Sequence, residues 1–156
     1  MNSTSPGAGP SLIGTVVDTA RFDVERGKIR EFAHATGAAD LVHTDPREAQ
    51  ARGHADVLAT ATHVVVSGHY RDQRAVVAAL GLDLRRIVVG STAWEYARPL
   101  RAGDTLSGTR RVAGDEIRVG RRGGTMRLVT LETEYVDSDG AVAVRQFEVL
   151  IERGTA

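Results

Sequence analysis

The sequence has no cysteine. That excludes disulfides, thiol nucleophiles and thiolate metal sites, and it fits an expected cytoplasmic location. No run of ~18 apolar residues occurs, the length a membrane-crossing helix needs, so no membrane partner is expected. An excess of one charge is missing too. The 20 Lys+Arg against 20 Asp+Glu leave a net charge of +0, which gives nucleic acid nothing to select. Lysine is nearly absent: Lys28 is the only one, and the other basic residues are arginines scattered along polar faces. Internal repeats and signs of a second domain are also lacking.

What is present suits one globular domain. A chain of 156 residues with 42% hydrophobic and 26% charged residues can bury a sizeable core. Met1–Pro10 is rich in Ser, Gly and Pro, without a basic start or an apolar centre. It reads as a disordered tail rather than a signal peptide, ahead of a single domain over 11–154.

Leu12–Val17 is a short apolar run that predicts a lead-in strand. Asp23 can cap a helix over 24–36, with Val24, Ile29, Phe32 and Ala33 on one face and Gly37 as its stop. Asp45 can cap a second helix, Pro46–Arg52, with Pro46 at its first position and Glu48 placed to close a capping box. Gly53 ends it. Asp56–Ala61 is irregular. Thr62 to Leu80 reads as one long helix, apolar nearly all round in its first half, with Gly68 inside and Gly81 at its end. Strands follow at Ile87–Val89 continuing to Trp94–Tyr96, then Thr105–Val112, Ile117–Arg121, Met126–Val136 and Ala141–Ile151, with a turn at Asp137–Gly140. Helices first and antiparallel strands after make an α+β layout, a curved sheet over one long helix.

The stretch with most chemical content runs from Phe32 to Gly53. His43 stands two residues before the Asp45 cap, so its imidazole is held on a tight loop beside a helix start. That placement suits acid–base work; a histidine that merely satisfies loop backbone is the bland alternative. Asp45 reads as a cap rather than a catalyst. Asp40 is a carboxylate on the same loop. His63 and His69 are six residues apart and do not share a helix face, so no metal pair is expected. His34 and His54 read as surface residues. Arg121-Arg122-Gly123-Gly124 lacks the Lys-Ser/Thr of a phosphate loop and reads as a hairpin turn.

These residues resemble the MaoC-like dehydratases, a hot-dog-fold family whose motif runs Gly-Asp-x-Asn-Pro-(Leu/Ile)-His-x-Asp-Pro. His43, Asp45-Pro46 and Gly53 match it. Ala38 stands where the family has its catalytic Asp, Asp40 at its Asn and Leu41 at its Pro. Trp94-Glu95-Tyr96, Arg98-Pro99, Gly103-Asp104 and the segment from Gly124 to Gly140 extend the likeness over roughly 12–152.

The resemblance implies a single hot-dog domain with the sheet wrapped around a long central helix. It implies a hydro-lyase acting on a 3-hydroxyacyl or 2-enoyl thioester of coenzyme A or acyl carrier protein, in fatty-acid or polyketide biosynthesis. No cofactor is expected beyond the arm that carries the substrate. An acyl carrier protein is a candidate partner, and pairing with a second hot-dog chain, as homodimer or heterodimer, is expected. The thioester oxygen would sit at the start of the central helix, at Ala61, Thr62 and His63.

A methyl at position 38 cannot move a proton, which leaves three readings. Asp40 swings in to restore a dyad with His43. His43 acts without a carboxylate. Or the chain is a binding or partner subunit whose companion carries the full motif. A tailoring enzyme, such as a polyketide dehydratase or cyclase, would also fit the altered motif.

Overall fold

The computed structural model describes residues 11–120 and 123–154; the tail Met1–Pro10 and the Arg121-Arg122 half of the predicted turn lie outside them. The described chain forms β1 (Val16–Asp23), α1 (Arg26–Thr36), a 3-10 turn Leu41–His43, α2 (Pro46–Ala51), a 3-10 segment His63–Tyr70, α3 (Gln73–Ala79), a 3-10 turn Leu84–Arg86, β2 (Ile87–Tyr96), β3 (Thr105–Val119), β4 (Thr125–Val136) and β5 (Val142–Arg153). The five strands make one antiparallel sheet in the order β1-β3-β4-β5-β2. The long alternating pattern of β4 buries Val129, Leu131, Thr133 and Tyr135 on the face that the helical layer covers.

Four expectations shift. The lead-in strand begins at Val16, because Gly14 takes a φ of 87° and its N–H turns to Val112 O at 2.8 Å. Asp23 does not cap α1. It ends β1, where its carboxylate accepts from Thr105 Oγ1 at 2.9 Å and Arg21 Nε at 3.0 Å. α1 starts at Arg26 with Glu25 as an extended N-cap that makes no side-chain bond. The helix expected over 62–80 is two pieces, the 3-10 segment and α3. The chain breaks at Arg71-Asp72, where the Asp72 side chain caps α3 through Ala75 N–H at 3.0 Å and Arg71 turns inward to Asp18. The strands expected at Thr105–Val112 and Ile117–Arg121 are one, β3, with a bulge between Val112 and Gly114.

Buried apolar residues form two clusters. One gathers Phe22, Val24, Ile29, Val64, Leu106 and Tyr135 beside α1. The other gathers Val76, Leu80, Val112, Val129, Leu131 and Leu150 under α3. The first cluster also includes Val57, next to Leu58, whose carbonyl oxygen lies 2.7 Å from His43 Nδ1.

Candidate functional site: the His43 loop and the start of the central segment

α1 delivers the chain to this loop. Gly37 takes a φ of 70° as its left-handed C-cap, and Ala38 N–H then donates to Ala33 O at 2.9 Å. The next residues close the 3-10 turn. Asp40 is its cap: Oδ1 accepts from Val42 N–H at 3.1 Å. Arg52, across α2, reaches the same carboxylate at 3.0 Å and also binds Glu48 at 2.9 Å. The Val42 N–H first, and Arg52 second, hold the Asp40 carboxyl below the ordinary carboxylate range. Asp40 is therefore a bound anion, a weak base poorly suited to take up a proton.

His43 is half-buried, with Nδ1 2.7 Å from Leu58 O. A carbonyl only accepts, so Nδ1 donates, and the neutral ring keeps Nε2 as a base. Leu58 is itself anchored, by its N–H to Val42 O at 3.0 Å and by a β-bridge to Arg101. Asp45 caps α2 as expected, accepting from Arg47 N–H at 2.8 Å. The capping box does not close. Asp45 N–H already donates to Leu41 O at 2.8 Å, and Glu48 goes to Arg52 instead.

At the start of the central segment, Ala61 and Thr62 are exposed and His63 is buried. His63 N–H donates to Thr60 O at 3.0 Å. The N–H groups of Ala61 and Thr62 have no acceptor among the described residues. The Tyr96 hydroxyl donates to Ala61 O. The His63 ring lies 5.3 Å from Phe32, edge-on, and 6.0 Å from Phe22; burial pushes its pKa down to about 4. Neither ring nitrogen has a partner among the described residues, and the same is true of Thr60 Oγ1 and Trp94 Nε1. These orphaned atoms carry no sequence signal, since burial is settled only by tertiary packing.

Two clefts flank the region. One of about 310 Å³ is lined by Thr60, Ala61, Tyr96 and Leu100. The other, about 670 Å³, is lined by His54, Leu58, Arg98, Arg101, Asp104 and Asp137. In the second, Arg98 is already paired with Asp104 at 2.7 Å and Asp137 at 3.4 Å. No cluster of three or more His, Asp or Glu side chains that could hold a metal ion occurs among the described residues. No helix among them is long and apolar enough to cross a membrane.

A family model described as FAS1-like, dehydratase domain region, matches residues 11–146. The chain belongs to that family. Its relatives include a UPF0336 protein of Clavibacter michiganensis, 41% identical over 93% of this chain and 95% of that protein, and one of Streptomyces griseus, 36% identical over 92% and 93%. Solved structures share the fold. A chain of the truncated HadBC 3R-hydroxyacyl-ACP dehydratase complex of Mycobacterium tuberculosis superposes with a TM-score of 0.75 at 21% identity, covering 90% of this chain and 97% of that one. The ChsH1–ChsH2 complex of the same organism gives 0.66 at 21% identity, covering 92% and 99%. An (R)-hydratase from A. caviae involved in PHA biosynthesis gives 0.61 at 18% identity, covering 91% and 98%. The chain shares the hot-dog fold of these dehydratases and hydratases.

Proposed function

We propose that this FAS1-like dehydratase-region protein is the acyl-binding half of a two-chain hydro-lyase for 3-hydroxyacyl or 2-enoyl thioesters, with a second hot-dog chain supplying the acid–base pair. One observation carries the reading: both carboxylate positions of the loop are out of play. Position 38 is a methyl, and Asp40 is bound by Val42 N–H and Arg52. Water addition needs one group to take the α-proton and another to handle the 3-hydroxyl, and His43 alone supplies one.

Two further features support it. Edge strand β2 runs ten residues, with Val89 60% exposed, and leaves one side of its ladder open to another chain. HadBC and ChsH1–ChsH2 are named as complexes of two chains. In this role the uncommitted N–H groups of Ala61 and Thr62 bind the thioester oxygen, with His63 as the packed base of that turn. The substrate arrives on coenzyme A or an acyl carrier protein. Fatty-acid or polyketide synthesis is the reaction class that makes and consumes such thioesters.

A second reading keeps His43 as a base acting alone, and its fixed Nδ1–Leu58 bond favours that. The test is hydration of a 2-enoyl-CoA by this chain mixed with a hot-dog chain that has the intact motif. The proposal expects activity in the mixture that survives His43→Ala here. Loss of the mixture's activity in that variant would establish the second reading.

A further inference from the structure

The sheet has a second open edge besides β2. β1 covers only the first part of β3. Their register ends at Val16 opposite Arg111, and the last contacts are Gly14 N–H to Val112 O at 2.8 Å and Val112 N–H to Thr15 O at 3.0 Å. β3 runs on to Val119 with only β4 beside it among the described residues. On that stretch Ile117 and Val119 are 74% and 75% exposed, more than any other large apolar side chain among the described residues. A bare strand edge is a template for another strand.

The ladder fixes what that edge offers. Gly120 N–H donates to Gly124 O at 2.7 Å, so the pairs that follow it at every second residue, Arg118 with Met126 and Glu116 with Leu128, bond towards β4. By alternation the N–H and C=O groups of Asp115, Ile117 and Val119 point away from the sheet. Glu116 and Arg118 share one face, both exposed, and pair with each other at 2.6 Å. Ile117 and Val119 stand on the other face with Asp115, whose carboxylate is drawn back onto Arg127 at 2.7 Å.

We infer that Asp115–Val119 of β3 is an edge-to-edge interface for a second copy of this chain, joined antiparallel about a two-fold axis at Ile117. Centred there, Ile117 meets Ile117 and Asp115 meets Val119, so outward amides face outward amides and make about six ladder hydrogen bonds. Glu116 then falls directly opposite Arg118 of the second copy, twice, with Cα atoms ~4.5 Å apart. Neighbouring registers are worse. An axis at Glu116 or at Arg118 sets that charge against its own copy, and an axis between two residues sets an outward amide against an inward one. The stretch is thus self-complementary in charge and in backbone pattern, as a two-fold contact requires. The contact is narrow, so its dissociation constant is expected on the order of 100 μM. It leaves β2 free for a different chain, and it holds whether the chain is an enzyme or a partner subunit.

The experiment is sedimentation velocity of the full chain from about 10 μM to about 1 mM, a range that brackets the expected constant. The native chain is expected to associate reversibly as its concentration rises. Ile117→Pro removes an outward N–H that β4 does not use, so it is expected to keep the native melting temperature and to lose the association. Glu116→Arg and Arg118→Glu each set like charges opposite one another and are expected to weaken self-association about tenfold. Mixed one to one, these two charge variants are expected to bind each other as well as the native chain binds itself, because each brings the charge the other lacks. The charge variants decide the register even if Ile117→Pro melts lower. A native chain that stays monomeric, association that Ile117→Pro leaves unchanged, or no recovery in the mixture would overturn the interface. So would association that appears only after residues 1–10 are deleted, which would make the chain's own N-terminal segment the occupant of the edge. None of these outcomes depends on hydration activity.

Discussion

Two polar regions of this molecule are built in opposite ways. On the His43 loop every carboxylate is answered: Asp40 by Val42 and Arg52, Glu48 by Arg52, Asp45 by Arg47. The loop is partly exposed, and its charges are used to hold its shape. In the interior, Asp18, Arg110, Thr133, Gln146 and Trp94 form one row across the five strands, and beside them Arg71 Nε and Trp94 Nε1 go unanswered among the described residues. On the proposed reading the His43 loop is a scaffold, while the unspent polar capacity sits inside. Substitutions in the interior should therefore cost more than substitutions on the loop.

The largest effect is expected at Gly108. A Cβ there would meet Arg71 Nη2 and Tyr135 Cε1, both at 2.6 Å. Both groups are buried and held by other bonds, so Gly108→Ala should lose on the order of 3 kcal/mol in urea unfolding. A loss within ~0.5 kcal/mol would mean that Arg71 can leave the row.

Next comes acid. The fold holds His63 near pKa 4 against its ordinary 6.5 because burial disfavours the charged ring. The unfolded chain therefore binds the proton first as pH falls. The stabilising effect of the neutral ring is intact above about pH 6.5, and it is lost progressively down to about pH 4. About 2 kcal/mol should be gone at pH 5. His63→Phe should flatten the fall, read from unfolding curves between pH 7 and 5.

Tyr135→Phe leaves Ser67 Oγ, 2.7 Å from the hydroxyl, and Gln146 Oε1, at 3.1 Å, without that partner. It should cost about 1–2 kcal/mol. On the loop, Asp45→Ala removes the α2 cap and should cost about 1 kcal/mol. Asp40→Asn should barely change the melting temperature, since its ion pair is exposed. A loop variant that destabilises more than Tyr135→Phe would invert the comparison.

Local signals explain what the sequence shows of this arrangement. Asp45-Pro46 marked α2, Gly37 its left-handed stop after α1, and Gly140, with a φ of 80°, the β4–β5 turn. Each depends on a few neighbouring residues. The break at Arg71-Asp72 was not legible, because it serves an ion pair between residues 53 apart in the chain. Asp23 looked like a cap until β3 supplied Thr105. The engagement of Asp40 depends on Arg52, twelve residues on. The interior row was the least legible feature. Asp18, Arg110, Thr133, Gln146 and Trp94 share no spacing, and only the register of five strands places them side by side.

The central claim is that this chain alone lacks a working acid–base pair. The direct measurement is the rate at which the purified chain by itself hydrates a 2-enoyl-CoA. The account predicts a rate at the uncatalysed background, unchanged by His43→Ala. Turnover by the native chain that disappears in His43→Ala would contradict it, and would make the His43 loop an active site after all.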